Sequence, residues 1–181
     1  MKKNRCTWAG EDKLYIAYHD LEWRTPRHND QTLFEILNLE GAQAGLSWIT
    51  ILRKRENYRH AFDKFNANKI LKYDAKKIDQ LMNNPGIIRN KLKISAVMNN
   101  AHAYFNIKKE FGSFDQYIWG FVNRKTIPYS QRKKAITISE VMSKDMKKRG
   151  FSFVGPTIIY AFMQAVGMVH DHMPNCFKHK P

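Results

Sequence analysis

The chain has 181 residues, 43% of them apolar and 13% aromatic, and a formal net charge of +15 from 31 Lys and Arg against 16 Asp and Glu. These values fit a globular protein organised as one domain over residues 1–181 and exclude a disordered chain. No apolar run approaches the roughly 20 residues that cross a bilayer. The charged opening MKKNRCTWAGEDK has no apolar stretch behind it, so a cytoplasmic protein with no membrane partner is expected. An excess of cations on this scale favours a polyanion, nucleic acid first, and its spread over 53–59, 69–77, 89–93 and 124–134 predicts a folded basic surface rather than a tail.

In chain order, LYIAYHDLEW predicts a short aromatic helix or turn that breaks at Thr25-Pro26. Asp30 predicts the N-cap of a helix running to about Gly41. On that helix Leu33, Ile36, Leu37, Glu40 and Ala44 form one stripe, which puts a carboxylate on the apolar side. A buried Glu must be paired, hydrogen-bonded or protonated. Glu40 therefore either holds backbone amides or an Arg, or is a pocket acid awaiting a cationic or hydrogen-rich ligand. Gly41 and Gly45 interrupt the helical pattern, and Ser47 predicts the cap of a helix with a strongly basic face. Asn66 and Asp74 predict caps of two short helices, the second ending near Leu81-Met82. After NNPG a new helix is expected from about Ile87 to Gly112, and then a short aromatic helix over 115–122. Residues 124–138 read as a basic loop, Ser139 as the cap of a helix stopped by Gly150, and Gly155-Pro156 as the opening of the last helix. Strand signals are scarce, so the predicted class is all-α.

Three constellations carry chemistry. LMNNPGIIRNKLKI at 81–94 has the outline of a helix-hairpin-helix, in which the Gly86 and Ile87 amides meet a phosphate at a helix N-terminus beside Arg89, Lys91 and Lys93. An ordinary helix turn fits the same spacing, and the overall charge favours DNA. Cys6 and His19, with His172 and Cys176 four residues apart near the other terminus, complete a closed structural zinc site if the termini meet. Two unrelated thiols with surface histidines fit that spacing too, and His170 and His179 are alternative ligands. Finally, Trp8, Tyr15, Tyr18, Trp23 and Trp48 are either core or a stacking cage near Glu40, suited to a flat cationic base.

The segments RCTW at 5–8, YIAYHDLEW at 15–23, LEGAQAGLSWITILRKRENY at 39–58, NPGIIRNKLK in the hairpin and KKRGFSFVGPTIIYAFMQAVGMVHDH at 147–172 resemble the bacterial DNA-3-methyladenine glycosylase I family over nearly the whole chain. The resemblance implies a helix-hairpin-helix DNA glycosylase fold with a zinc site joining the termini. Cys6, His19, His172 and Cys176 would be the ligands of one structural zinc per chain. Glu40 would contact the damaged base and be the catalytic candidate, with Tyr18 and Trp48 flanking the base and Trp8 and Trp23 shaping the pocket. Gly45 and Leu46 would fill the gap left by the extruded nucleotide, while Gly86, Ile87 and Arg89 meet the DNA backbone. The reaction implied is hydrolysis of the N-glycosidic bond of 3-methyladenine in alkylated double-stranded DNA. It leaves an abasic site and, with no evident Schiff-base lysine, no strand cleavage. A monomer acting at the bacterial nucleoid is expected. Two departures from the family pattern stand out: Arg24 in place of Gly, which is expected to alter the pocket entrance, and Ala42 in place of Gln. The rival readings are a DNA-binding domain without excision and an RNA-binding protein, and base release from methylated DNA separates them.

Overall fold

Side-chain oxygens start most of the helices. Asp12 accepts from the backbone amides of Leu14 and Tyr15 at the head of α1 (Lys13–Ala17), and Asn29 from that of Thr32 at the head of α2 (Asp30–Gln43). Asn66, Asp74, Asn90 and Ser113 do the same for α4 (Ala67–Ile70), α5 (Ala75–Met82), α6 (Lys91–Phe111) and α7 (Phe114–Gly120). Each such cap satisfies an otherwise orphaned N–H and is worth about 1 kcal/mol. Three helices begin without one: α3 (Trp48–Ala61), α8 (Arg132–Lys148) and α9 (Pro156–Ala165), the last with proline in its first turn.

This architecture comes from a computed structural model that describes residues 3–179. The described residues form no sheet, and their one β contact is an isolated parallel bridge between Ile127 and Val169. Helix α2 is the centre, packing on α3, α6, α7 and α9, while α8 lies along α9. Leu33, Phe34, Leu37 and Leu39 on α2 join Ile51, Phe62, Phe65, Phe114, Trp119, Ile159 and Phe162 in a core of almost fully buried side chains. Burying an aliphatic or phenyl side chain of this size contributes roughly 1.5–3 kcal/mol. Because α2 is covered on several sides, Asn38 is buried too, and it is satisfied within the core: it donates to Phe34 O and accepts from Asn100.

Three boundaries differ from expectation. Asn29, not Asp30, caps α2, and the Asp30 carboxylate instead accepts from the Asp115 amide at the start of α7. The second helix of the 81–94 hairpin starts at Lys91, because Asn90 is its cap and Ile87 is drawn into the core. The Gly86 amide is taken by the Asn84 side chain at 2.8 Å and the Ile87 amide by Asn84 O at 3.4 Å, so neither stands at a helix N-terminus. The stretch read as a basic loop holds the first two turns of α8, and Ser139 lies inside that helix, its hydroxyl donating to Ile136 O.

One close approach fixes the path of the chain between the site elements. Gly167 has φ +80°, and a Cβ there would lie 2.5 Å from Pro26 N, so only glycine lets the segment after α9 pass the segment that leads into α2.

Candidate functional site

The turn that leaves α1 builds two neighbourhoods at once. Residues Tyr18–Glu22 form a single π-helical turn continuing α1, and both Tyr18 and His19 are buried in it. Such turns are frequent at functional sites because the extra residue re-aims adjacent side chains. Here Tyr18 lines a cavity, and His19 joins a cluster of sulfur and nitrogen atoms behind it.

The cavity holds about 310 Å³ and is walled by Trp8, Tyr15, Tyr18, Trp23 and Trp48, with Glu40 among the lining residues. The rings touch: Trp8 meets Trp23 edge-on with centroids 4.8 Å apart, lies 5.0 Å from Tyr15, and Tyr18 lies 5.4 Å from Trp48. Glu40 is 4% exposed, and burial alone pushes its carboxyl up to about 8. No described residue hydrogen-bonds its side chain, so the alternative in which Glu40 serves a backbone amide or an Arg does not hold. Trp48 Nε1 is buried without a partner as well. An aromatic box with one neutral acid and one unused donor lacks polar contacts that a flat, hydrogen-bonding ligand would supply.

Cys6, His19, His172 and Cys176 are all buried, with their ligand atoms within 4.8 Å of one another. Cys6 Sγ lies 3.4 Å from His172 Nδ1, and Cys176 Sγ lies 3.5 Å from His19 Nε2 and 3.6 Å from His172 Nδ1. Outer groups fix these side chains. The Met173 amide donates to Cys6 Sγ, and His19 Nδ1 meets Asp20, which Arg5 holds in a two-pronged ion pair. Burial pushes the Cys6 thiol up to about 11 and His172 down to about 3. The cluster can hold a metal ion. His170 and His179 are outside it: the ring of His179 meets His172 O, and His170 Nδ1 is buried without a partner. The cluster also supports the cage, since Trp23 packs edge-on against His172 at 4.7 Å and Trp8 sits 5.2 Å from His19.

Gly45, with φ +76°, and Leu46, 40% exposed, form the tip between α2 and α3. Lys93 reaches into that corner and donates to Ala42 O at 2.8 Å and Ala44 O at 2.7 Å. It therefore caps the end of α2 rather than standing free beside the hairpin, whereas Arg89 is exposed there. Arg24 is not in the cavity wall. It is 8% exposed, has φ +65°, leaves Nε without a partner, and burial lowers its guanidinium to about 10.

The rest of the cavity wall holds residues to which the sequence attached no role. Gln43, Tyr129, Arg132, Gln164, Asp171 and Met173 also line it. Gln43, Gln164 and Asp171 lie within the segments at 39–58 and 147–172 that carry the resemblance, and Asp171 is next to a candidate ligand. Tyr129 and Arg132 come from a stretch with no apolar periodicity.

The profile of the methyladenine glycosylase family matches residues 8–179. The DNA-3-methyladenine glycosylase of Haemophilus influenzae is 49% identical over 177 residues, covering 95% of this chain and 96% of the relative. A crystal structure of 3-methyladenine DNA glycosylase I superposes with a TM-score of 0.91 at 44% identity, covering 98% of this chain and 100% of that one. A structure of another 3-methyladenine DNA glycosylase I, solved as a single-residue variant in complex with 3-methyladenine, superposes with a TM-score of 0.88 at 36% identity over 98% of this chain and 100% of the other.

Proposed function

The chain belongs to the methyladenine glycosylase family, and from that premise we propose that its aromatic cavity removes 3-methyladenine from alkylated double-stranded DNA by hydrolysis. The observation that carries this reading is a buried, unpartnered Glu40 inside a cage of five aromatic rings. A methylated adenine still bonded to its sugar is a flat cation. It gains from the ring faces and from a carboxyl that can accept its N–H groups or ionise beside it, whereas unmodified adenine gains less. The positive charge already weakens the N-glycosidic bond. The base leaves with the bonding electron pair and becomes neutral, water adds to C1′, and the water's proton is released to solvent. Glu40 touches the base and is the catalytic candidate. Tyr18 and Trp48 flank the base, and Trp8 and Trp23 close the box. No lysine is among the residues lining the cavity, which supports base release without strand cleavage, since a Schiff base needs an amine.

The rest of the molecule serves that site as one domain acting as a monomer in the cytoplasm, where its DNA substrate lies. Gly45 and Leu46 occupy the space vacated by the extruded nucleotide. The α5–α6 corner faces the DNA backbone through the exposed Arg89, since the Gly86 and Ile87 amides are already bonded to Asn84. The Cys6, His19, His172 and Cys176 set holds one structural zinc. Three of the four N···S separations in the set are 3.4, 3.5 and 3.6 Å, a spacing that would suit two thiolates and two imidazoles sharing one small ion. A closed set of four ligands leaves no position for substrate, so the ion's contribution is to tie the cage together.

The test is release of free base from a methylated duplex. The native protein should liberate 3-methyladenine without nicking the strand, and Glu40→Gln and Trp48→Ala should each lose excision while staying folded. Full activity in both variants would sink the cavity assignment, and binding of the duplex without any base release would favour a DNA-binding domain that lacks excision.

A further inference from the structure

The wall facing the cage is built around an arginine whose outer edge has nothing to bond. The Ile127–Val169 bridge brings the start of α8 beside Asp171: the Ile127 amide donates to Met168 O, and the His170 amide to Ile127 O. The Asp171 side chain is 4% exposed and accepts from the Tyr160 hydroxyl at 3.0 Å and from Gln164 Nε2. Arg132 Nε stands 3.1 Å from Asp171 Oδ1 and donates to the Tyr160 hydroxyl at 3.3 Å. The guanidinium is therefore anchored by its inner nitrogen. Its two terminal amino groups have no acceptor among the described residues, and the side chain as a whole is 53% exposed at the cavity. A planar fork held at its base and bare at its tip is suited to two oxygens of one phosphate.

The neighbouring sequence fits the same ligand. Arg132, Lys133 and Lys134 are all exposed and occupy the first turn of α8, where cations oppose the helix dipole. A polyanion in front of them reverses that sign. An extruded nucleotide remains tethered by its two flanking phosphates, so when its base fills the cavity those phosphates stand at the mouth. Resting on the base-excision reading above, we propose that Arg132 grips a phosphodiester flanking the extruded nucleotide. Held in place by Asp171 and Tyr160, it is a positioning residue that fixes the sugar over the cavity without touching the base.

The test compares Arg132→Ala and Arg132→Lys with the native protein in three measurements: affinity for an abasic duplex across a salt series, single-turnover excision at saturating DNA, and affinity for free 3-methyladenine. Arg132→Ala should weaken duplex binding about ten- to a hundredfold, the loss expected for one charge-assisted contact. The slope of log K against log salt should become shallower by about 0.9, the increment for one phosphate. Free-base affinity should stay at the native value, whereas the saturating rate should fall because the sugar is no longer fixed over the cavity. Arg132→Lys keeps the charge but loses the fork, so it should restore the slope while recovering only part of the affinity. An unchanged slope in Arg132→Ala, or free-base affinity falling in step with duplex affinity, overturns the assignment of Arg132 alone. A native protein that binds DNA but releases no methylated base overturns the excision reading, and the proposal with it.

Discussion

Glu40 carries a pH signature that separates it from an ordinary surface acid. Its folded-state value near 8 lies above the ordinary 4.5 because burial disfavours the charged form. In the unfolded chain it ionises above pH 4.5 and in the folded chain only near 8, so its contribution to stability is intact below 4.5 and falls as pH rises through that window. Glu40→Gln lacks this loss. Its stability advantage over the native protein should grow by about 1.4 kcal/mol per pH unit between roughly pH 4.5 and 8, then level off. Urea denaturation at several pH values measures this, and a difference that stays flat with pH would show that the carboxyl is ionised in the folded state. Arg24 presents a second residue-scale cost, with a side chain in the left-handed region and a buried guanidinium nitrogen without a partner. Arg24→Gly should raise stability by about 1 kcal/mol, read as a higher urea midpoint at unchanged slope. The stripe on α2 makes Glu40 legible from the sequence, because a carboxylate at core spacing has few explanations. The place of Arg24 is not legible, because burial behind the cage depends on how the segment after the π-helical turn passes Gly167.

At the scale of elements, the corner where α2 ends depends on a lysine from another helix. Lys93 bonds two terminal carbonyls of α2 just before the exposed tip of Gly45 and Leu46. Lys93→Met should cost about 1–3 kcal/mol through those orphaned acceptors and loosen the tip, while the salt slope of duplex binding keeps its native value. A shallower slope would mean that Lys93 meets phosphate instead. The Cys and His cluster makes a comparable prediction. Metal analysis should find about one zinc per chain, and chelation should weaken free-base binding along with stability, since Trp8 and Trp23 rest on His19 and His172. Metal-free protein with native stability and native base affinity would remove zinc from the account. Helix starts with an Asx or Ser cap are readable to within a residue or two. The start of α8 is not, because it has no side-chain cap and begins with three cations at the end where the dipole disfavours them. Likewise Ile87 and Ile88 have the look of a first helical turn, yet Ile87 is buried by a loop while Asn90 caps the helix.

Across the whole molecule, the surplus charge is not distributed evenly between lysine and arginine. Arg5, Arg53, Arg55, Arg59, Arg124 and Arg149 are paired with Asp20, Asp12, Glu22, Glu35, Asp115 and Glu110. These pairs use much of the acidic complement, and the net excess is left mainly to exposed lysines. Composition shows that excess but not its arrangement, since an ion pair between distant helices exists only after folding. The same limit applies to the cavity. One wall comes from segments near each other in sequence, from Trp8 to Trp48, and is readable. The other is assembled by the Ile127–Val169 bridge and leaves no periodic trace.

That assembly also sets an order in time. Cys6 and His19 are made early and His172 and Cys176 about 150 residues later, yet Trp8 and Trp23 stand on both pairs. A nascent chain emerging from the ribosome can complete α2 and display Glu40 well before the box around it can close. The box can therefore close only once the segment from Asp171 to Cys176 has left the ribosome, and a chain cut short before that point would leave Trp23 without the His172 ring it packs on.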